Sequence, residues 1–161
     1  MKQVTLYTDG ACSGNPGAGG YAAILKYGSA EKTISGGEQE TTNNKMELKA
    51  VIEGLKALKE PCSVLVYSDS AYVVNAFALG WLKGWIASGW KTADKKPVKN
   101  EELWRELVGL TSVHLVQFNK VKGHADDELN NRCDKMARGE VEKILASMKP
   151  ADIPQNDEAI Q

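Results

Sequence analysis

Two short segments of this chain echo each other. Leu6-Tyr7-Thr8-Asp9-Gly10 and Val66-Tyr67-Ser68-Asp69-Ser70 each carry a strand-like stretch into an aspartate. If the two stretches lie side by side and parallel, Asp9 and Asp69 meet at the carboxyl edge of the sheet, where open α/β sheets collect ligands. Taken singly, each aspartate also reads as a turn starter or a helix cap. Glu47 lies one turn inside a helical pattern, four residues from both Asn43 and Val51, and so borders an apolar stripe. A carboxylate there costs free energy unless a cation or a partner compensates it. Before it stand Thr41, Thr42, Asn43 and Asn44, more capping residues than one helix start needs, and a helix N-terminus with spare hydroxyls and amides can hold a phosphate. Asn130 and Asp134, four apart, share a face on a later helix. His124 follows Gly123 in a loop, whereas His114 falls within a strand pattern and reads as structural.

Two further segments bear on ligands. The glycine-rich run Gly14 to Gly20 has the outer spacing of a phosphate-binding P-loop, but Gly20 and Tyr21 stand where Lys and Ser or Thr are required, and a strand follows rather than a helix. A turn, or close backbone approach to a ligand, is what remains for it. From Trp81 to Lys99 five lysines (Lys83, Lys91, Lys95, Lys96, Lys99) face one acid, Asp94, and all four tryptophans (Trp81, Trp85, Trp90, Trp104) fall in or just beyond that window. Basic residues interleaved with aromatics suit a nucleic-acid backbone, and a solvated lysine-rich loop is the bland alternative.

These residues need elements to position them. Strand patterns cover Val4–Thr8, Tyr21–Tyr27, Lys32–Ser35, Val64–Tyr67 and Val113–Phe118, with Gly28-Ser29 and Gly36-Gly37 as turns. The run Val64–Tyr67 is continuously apolar, which predicts a strand covered on both faces. Amphipathic helices are predicted from about Asn43 to Lys59, ended by Pro61, then over Ala71–Leu79 and Glu101–Leu110, and finally from about Asp126 to Ser147 with Leu129, Cys133, Met136, Ala137, Val141 and Ile144 on one stripe. The sum is an α/β domain over residues 1–147, a mixed sheet with helices packed on it. Residues 148–161 are expected to form a disordered acidic tail. The 161 residues, with 20 basic against 21 acidic, suit one globular domain and argue against a surface that binds polyanions everywhere. Apolar runs stay far below the roughly 18 residues of a membrane span. Three isolated cysteines (Cys12, Cys62, Cys133) suit reduced thiols, so a cytoplasmic protein with no membrane association is expected.

Taken together, the chain resembles the type 1 ribonuclease H family over about residues 2 to 145. The resemblance rests on Tyr7-Thr8-Asp9-Gly10 with Gly14-Asn15-Pro16-Gly17, and on Thr42-Asn43-Asn44 leading to Met46-Glu47-Leu48. It continues through Ser68-Asp69-Ser70 with Tyr72-Val73, the run Gly89 to Asn100, and Val121-Lys122-Gly123-His124 with Cys133-Asp134. It implies a ribonuclease H-like fold, a five-stranded mixed sheet with helices on both faces and a basic helical protrusion at about residues 81–100. It implies an endoribonuclease that hydrolyses the RNA strand of RNA–DNA hybrids, leaving 3′-hydroxyl and 5′-phosphate ends. By that likeness Asp9, Glu47, Asp69 and Asp134 are metal-binding and catalytic, and His124 assists proton transfer or product release. Asn15, Asn43 and Asn44 contact the minor groove, and Thr42 and Asn100 hold a DNA-strand phosphate. Trp81, Trp85, Trp90, Lys91, Lys95, Lys96 and Lys99 grip the duplex.

Elementary electrostatics agrees with this assignment. Two unit charges about 4 Å apart at an effective dielectric of about 20 repel by roughly 4 kcal/mol, so four clustered carboxylates need cations or raised pKa values. Oxygen donors without a thiol or imidazole cluster favour Mg²⁺, two ions per site, with Mn²⁺ as a substitute. The expected partner is an RNA–DNA hybrid duplex; no obligate protein partner is expected, and a monomer suffices. Three departures stand out: Ala71 where relatives commonly carry Gln, the acidic run Asp126-Asp127-Glu128 beside His124, and Asn131 where an acid is frequent. A junction-resolvase or integrase-like nuclease is the alternative within the fold, disfavoured by the basic tryptophan segment with Asn43-Asn44. A non-catalytic hybrid or duplex-RNA binder is the alternative outside catalysis, disfavoured because a pure binder gains nothing from acids beside phosphates.

Overall fold

The computed structural model describes residues 1–121 and 128–148. Its elements run β1 (Lys2–Cys12), β2 (Gly17–Tyr27), β3 (Ala30–Thr41), α1 (Asn43–Lys56), β4 (Cys62–Ser68), α2 (Ala71–Ala78), α3 (Trp81–Ala87), α4 (Glu101–Val113), β5 (Leu115–Lys120) and α5 (Glu128–Ser147). The five strands form one mixed sheet in the order β3-β2-β1-β4-β5. The meander β1-β2-β3 is antiparallel, and β1, β4 and β5 are parallel, so each return to the sheet passes through helices.

Alternation along the strands decides which side each helix covers. Val4 and Leu6 of β1, with Ala23 and Leu25 of β2, pack under Leu48, Val51, Ile52 and Leu55 of α1. The intervening Tyr7, Ala22 and Ile24 face the other way, onto Leu129, Cys133 and Ala137 of α5. The helical stripes read from the sequence are therefore the buried ones, and helices do lie on both faces. Trp104 of α4 is fully buried and ringed by Tyr72, Phe77 and Trp85.

Several local expectations change. Gly36-Gly37 is not a turn: both residues lie inside β3, paired with Tyr21 and Gly20 of β2. Missing side chains are what the site requires, since a Cβ on Gly37 would meet Cδ1 of Ile144 at 2.5 Å and one on Gly36 the Tyr21 hydroxyl at 2.5 Å. The glycine run is likewise half strand, because β2 begins at Gly17, and a Cβ on Gly20 would strike the Ala137 carbonyl of α5. α1 stops at Lys56, well before Pro61. β4 alternates buried and half-buried residues, because α5 lies over β1, β2 and β3 and leaves the far side of β4 partly open. Val113 belongs to the end of α4, and β5 starts two residues later. His114 lies between them, buried, with its Nδ1 accepting the Cys62 N–H at 3.0 Å, a structural role in a different place from the one expected. The basic segment is helical only over α3; beyond it Lys91 and Pro97 pair across a turn. The acidic tail, apart from Met148, lies outside the described residues.

Gly10 fixes the height of α1 above β1. A Cβ there would sit 2.6 Å from the Glu47 backbone nitrogen and 2.7 Å from the Met46 carbonyl carbon. Backbone cannot rotate aside, so Gly10→Ala must lift the first turn of α1. We expect a loss of about 1–3 kcal/mol in urea unfolding, against the few tenths to 1 kcal/mol by which Gly→Ala ordinarily stabilises through the unfolded chain. A variant as stable as its parent would contradict this packing.

Candidate active site

The parallel pairing of β1 with β4 ends at Tyr7 and Tyr67. Asp9 and Asp69 each lie two residues beyond that last pair, at the same edge, as the echoed segments predict. Neither is spent on a helix cap. Ser70 caps α2, its Oγ accepting the Val73 N–H at 3.2 Å, and Ser68 Oγ takes the Ser70 N–H at 3.1 Å. Asp9 Oδ1 accepts the N–H of Gly10 at 2.9 Å. Glu47 reaches the same point from above because α1 rests on Gly10. Carboxylate oxygens of Asp9, Glu47 and Asp69 all lie within 4.8 Å of one another. Asp134, on α5, lines a cleft of about 150 Å³ with Thr8, Asp9, Asp69, Val121, Asn130 and Asn131. It stands outside the three-oxygen cluster, and its Oδ2 takes two donors from Arg138.

The electrostatics of the cluster is that of a cation site. Glu47 is 4 % exposed and Asp9 7 %. Burial, then the Asp69 charge, pushes the Asp9 carboxyl up to about 7. Burial, then Asp9 and Asp69, pushes Glu47 up to about 9. Asp69 is raised also, chiefly by burial, with Lys120 partly offsetting it. Among the described residues Glu47 Oε2 is buried without a hydrogen-bond partner, a debt that a bound cation would settle. Three converging carboxylates, one of them carrying a buried oxygen without a partner among the described residues, fit a hard divalent ion such as Mg²⁺ or Mn²⁺.

A second group forms where the loop after β1 meets α1. Asn15, Thr42, Asn44, Lys45, Lys99 and Asn100 line one cleft of about 410 Å³. Thr42 Oγ1 caps α1 by accepting the Lys45 N–H at 3.3 Å, and Asn15 Oδ1 accepts the Asn43 N–H at 2.9 Å, tying loop to helix. Asn100 has left-handed backbone (φ 61°), and its Nδ2 donates to the Tyr72 hydroxyl at 3.2 Å; that hydroxyl also accepts Trp104 Nε1–H at 2.8 Å. Asn100 is thus aimed by a buried tryptophan through Tyr72. Sequence reasoning misses Lys45 and Tyr72. Lys45 directly follows the Thr-Asn run and can be read with it; the contact of Tyr72 crosses from α2 to α4 and leaves no local signal.

The basic segment divides. Lys91, Lys95, Lys96 and Lys99 are exposed, and Trp81 is 40 % exposed. Trp85 packs against Trp104. Trp90 is turned into the core at 8 % exposure, with the Arg105 guanidinium 5.1 Å from its ring centre. The expected duplex contact by Trp90 is corrected accordingly: its ring anchors the lysine turn. His124 and the Lys122–Asp127 segment lie outside the described residues.

Comparison with known proteins places this geometry. The RNase H family profile matches residues 1–142. Ribonuclease H of Chlorobaculum parvum is 62% identical over 137 residues, covering 85% of this chain and 94% of that one. Ribonuclease H of Moorella thermoacetica is 54% identical over 154 residues, covering 96% and 99%. Among solved structures, LC9-RNase H1, described as a type 1 RNase H with the type 2 active-site motif, superposes with a TM-score of 0.77 at 25% identity, covering 99% of this chain and 80% of that one. LC11-RNase H1, solved in complex with an RNA/DNA hybrid, gives 0.61 at 21% identity, covering 88% and 99%, a likeness of fold. The two clusters therefore sit in a chain that belongs to the ribonuclease H family and is an enzyme of that family.

Proposed function

We propose that this enzyme hydrolyses the RNA strand of RNA–DNA hybrids with two bound divalent cations, Mg²⁺ for preference, leaving 3′-hydroxyl and 5′-phosphate ends. The observation that carries the reading is the meeting of Asp9, Glu47 and Asp69 oxygens within 4.8 Å, with Asp134 in the same cleft. When bound, the cations supply an activated water and neutralise charge on the leaving 3′-oxygen of an in-line displacement. Asp9 and Glu47, held by the β1–α1 contact at Gly10, provide buried oxygens; Asp69 and Asp134 close the solvent side. His124 serves the product side, moving a proton or easing release.

Specificity is assigned to the second cleft. Thr42 and Asn100, with Lys99 alongside, take a phosphate of the DNA strand at the N-terminus of α1. Asn43 and Asn44 face the minor groove, where 2′-hydroxyls distinguish RNA from DNA, and Asn15 holds the loop that presents them. Phosphate contacts give affinity that falls with salt, whatever the base sequence.

An end-labelled hybrid, incubated with and without Mg²⁺ beside duplex RNA, duplex DNA and single strands, tests the activity. Cleavage confined to the hybrid's RNA strand and stopped by a chelator is expected; cutting of duplex DNA, or none at all, would refute it. Replacing Lys95, Lys96 and Lys99 with Ala should weaken hybrid binding several-fold. It should also lower the slope of log affinity against log salt by up to about 2.7, at about 0.9 for each phosphate left unneutralised. Unchanged affinity at low salt would remove these lysines from the grip.

A further inference from the structure

Among the described residues, Asp134 differs from the other three acids in forming a salt bridge. Arg138, one turn further along α5, sends Nη2 to Asp134 Oδ2 at 2.8 Å and Nε to the same oxygen at 3.0 Å. The pair is half open to water, with side chains 48% and 63% exposed. An exposed pair at this spacing contributes only about 0.3–0.5 kcal/mol to the fold, so stability gives little reason for it. Its place gives a better one. Asp134 lines the cleft of Asp9 and Asp69, and its negative charge reaches Asp9.

We propose that Arg138 is a positioning residue for metal loading: it occupies Asp134 Oδ2 while no substrate is bound and competes there with the incoming divalent cation. The inference rests on Asp134 being a metal ligand. Both donors go to Oδ2, so the pair engages one oxygen of a carboxylate that lines the cleft. A cation that recruits Asp134 must displace Arg138 from Oδ2, or share Asp134 with it through the remaining oxygen. In both cases the guanidinium, kept beside the cleft by its pair with Asp134, opposes a second positive charge there. Arg138 therefore lowers the affinity of the substrate-free site for free divalent ions. Lys120, among the described residues, acts on Asp69 directly.

Mn²⁺ titration of the substrate-free full chain by calorimetry tests this without reading activity. Arg138→Gln should tighten Mn²⁺ binding by roughly three- to tenfold, the effect of one partly screened charge, and Arg138→Lys, which keeps the charge, should stay within about twofold of the parent. In an Asp134→Asn background, Arg138→Gln should change nothing, because its route runs through Asp134. Equal or weaker Mn²⁺ binding by Arg138→Gln overturns the proposal, and so does a tightening that persists in the Asp134→Asn background. If Asp134→Asn alone leaves Mn²⁺ binding unchanged, Asp134 is no ligand and the underlying reading falls with it. If Asp134→Asn weakens binding and Arg138→Gln is silent, only the role of Arg138 falls.

Discussion

Asp69→Asn is expected to cut the rate of hybrid cleavage by about a thousandfold or more while hybrid binding, measured in chelator, stays within a few-fold of the parent. A metal site supplies several kcal/mol of transition-state stabilisation, and each 1.36 kcal/mol lost costs about tenfold in rate. The substitution conserves shape and leaves local structure alone, because the cap of α2 is Ser70 and the Ser68 hydroxyl bonds the Ser70 N–H. It also removes one of the charges that hold Asp9 and Glu47 above their usual values. The metal-free variant should therefore be more stable to urea at neutral pH, not less. Loss of activity with a gain in stability separates a ligand from a structural residue. Cleavage within tenfold of the parent would remove Asp69 from the metal site.

Much of this site can be read along the chain, for identifiable reasons. Asp9 and Asp69 are legible because strand ends repeat their local context, and the register of β1 on β4 turns that repetition into proximity. Glu47 is legible because a carboxylate bordering an apolar stripe has to be accounted for; the structure answers with burial, an orphaned oxygen and two acidic neighbours. Asp134 is legible through its helix face. The salt link that sets it apart is two residues of one helix four positions apart, a spacing so common on surfaces that it carries no signal until the cleft beside it is known.

What the sequence hides is mostly a matter of distance along the chain. Gly36-Gly37 has turn composition, and only Tyr21 and Ile144, from β2 and α5, show why a strand needs two residues without side chains there. Trp90 sits among lysines and reads as a surface aromatic; its ring is buried because the turn after α3 folds back beneath Arg105. Tyr72, on α2, enters the sequence reading only as part of a motif, with no role attached to it. Its hydroxyl joins Asn100 to Trp104, so the aim of Asn100, the proposed phosphate contact, depends on the core of another helix pair. The helices themselves are easier to find, since their stripes are local and period alone exposes them.

The same carboxylates set how the metal-free protein responds to pH. The Asp9 carboxyl lies at about 7 in the fold against a usual 3.8, and Glu47 at about 9 against 4.5. From about pH 4 upward the unfolded chain releases protons that the folded chain keeps. The folded state then binds more protons, and stability must fall as pH rises. The decline runs to about pH 7 for Asp9 and about pH 9 for Glu47. At about 1.4 kcal/mol per pH unit of displacement, the coupled carboxylates together account for a loss of several kcal/mol. Divalent ions remove the cause, because they bind the ionised carboxylates of the folded chain and add about 2.7 kcal/mol at a hundred times Kd. Urea unfolding in chelator should therefore show stability dropping from pH 5 to pH 9, and Mg²⁺ at a hundred times Kd should offset part of that drop by raising its alkaline end. Glu47→Gln should flatten the upper part of the curve without metal, since no carboxylate then ionises in the buried position. A chelated protein equally stable at pH 5 and pH 9, or a slope that Mg²⁺ leaves untouched, would mean that the three oxygens are not crowded together as the structure has them.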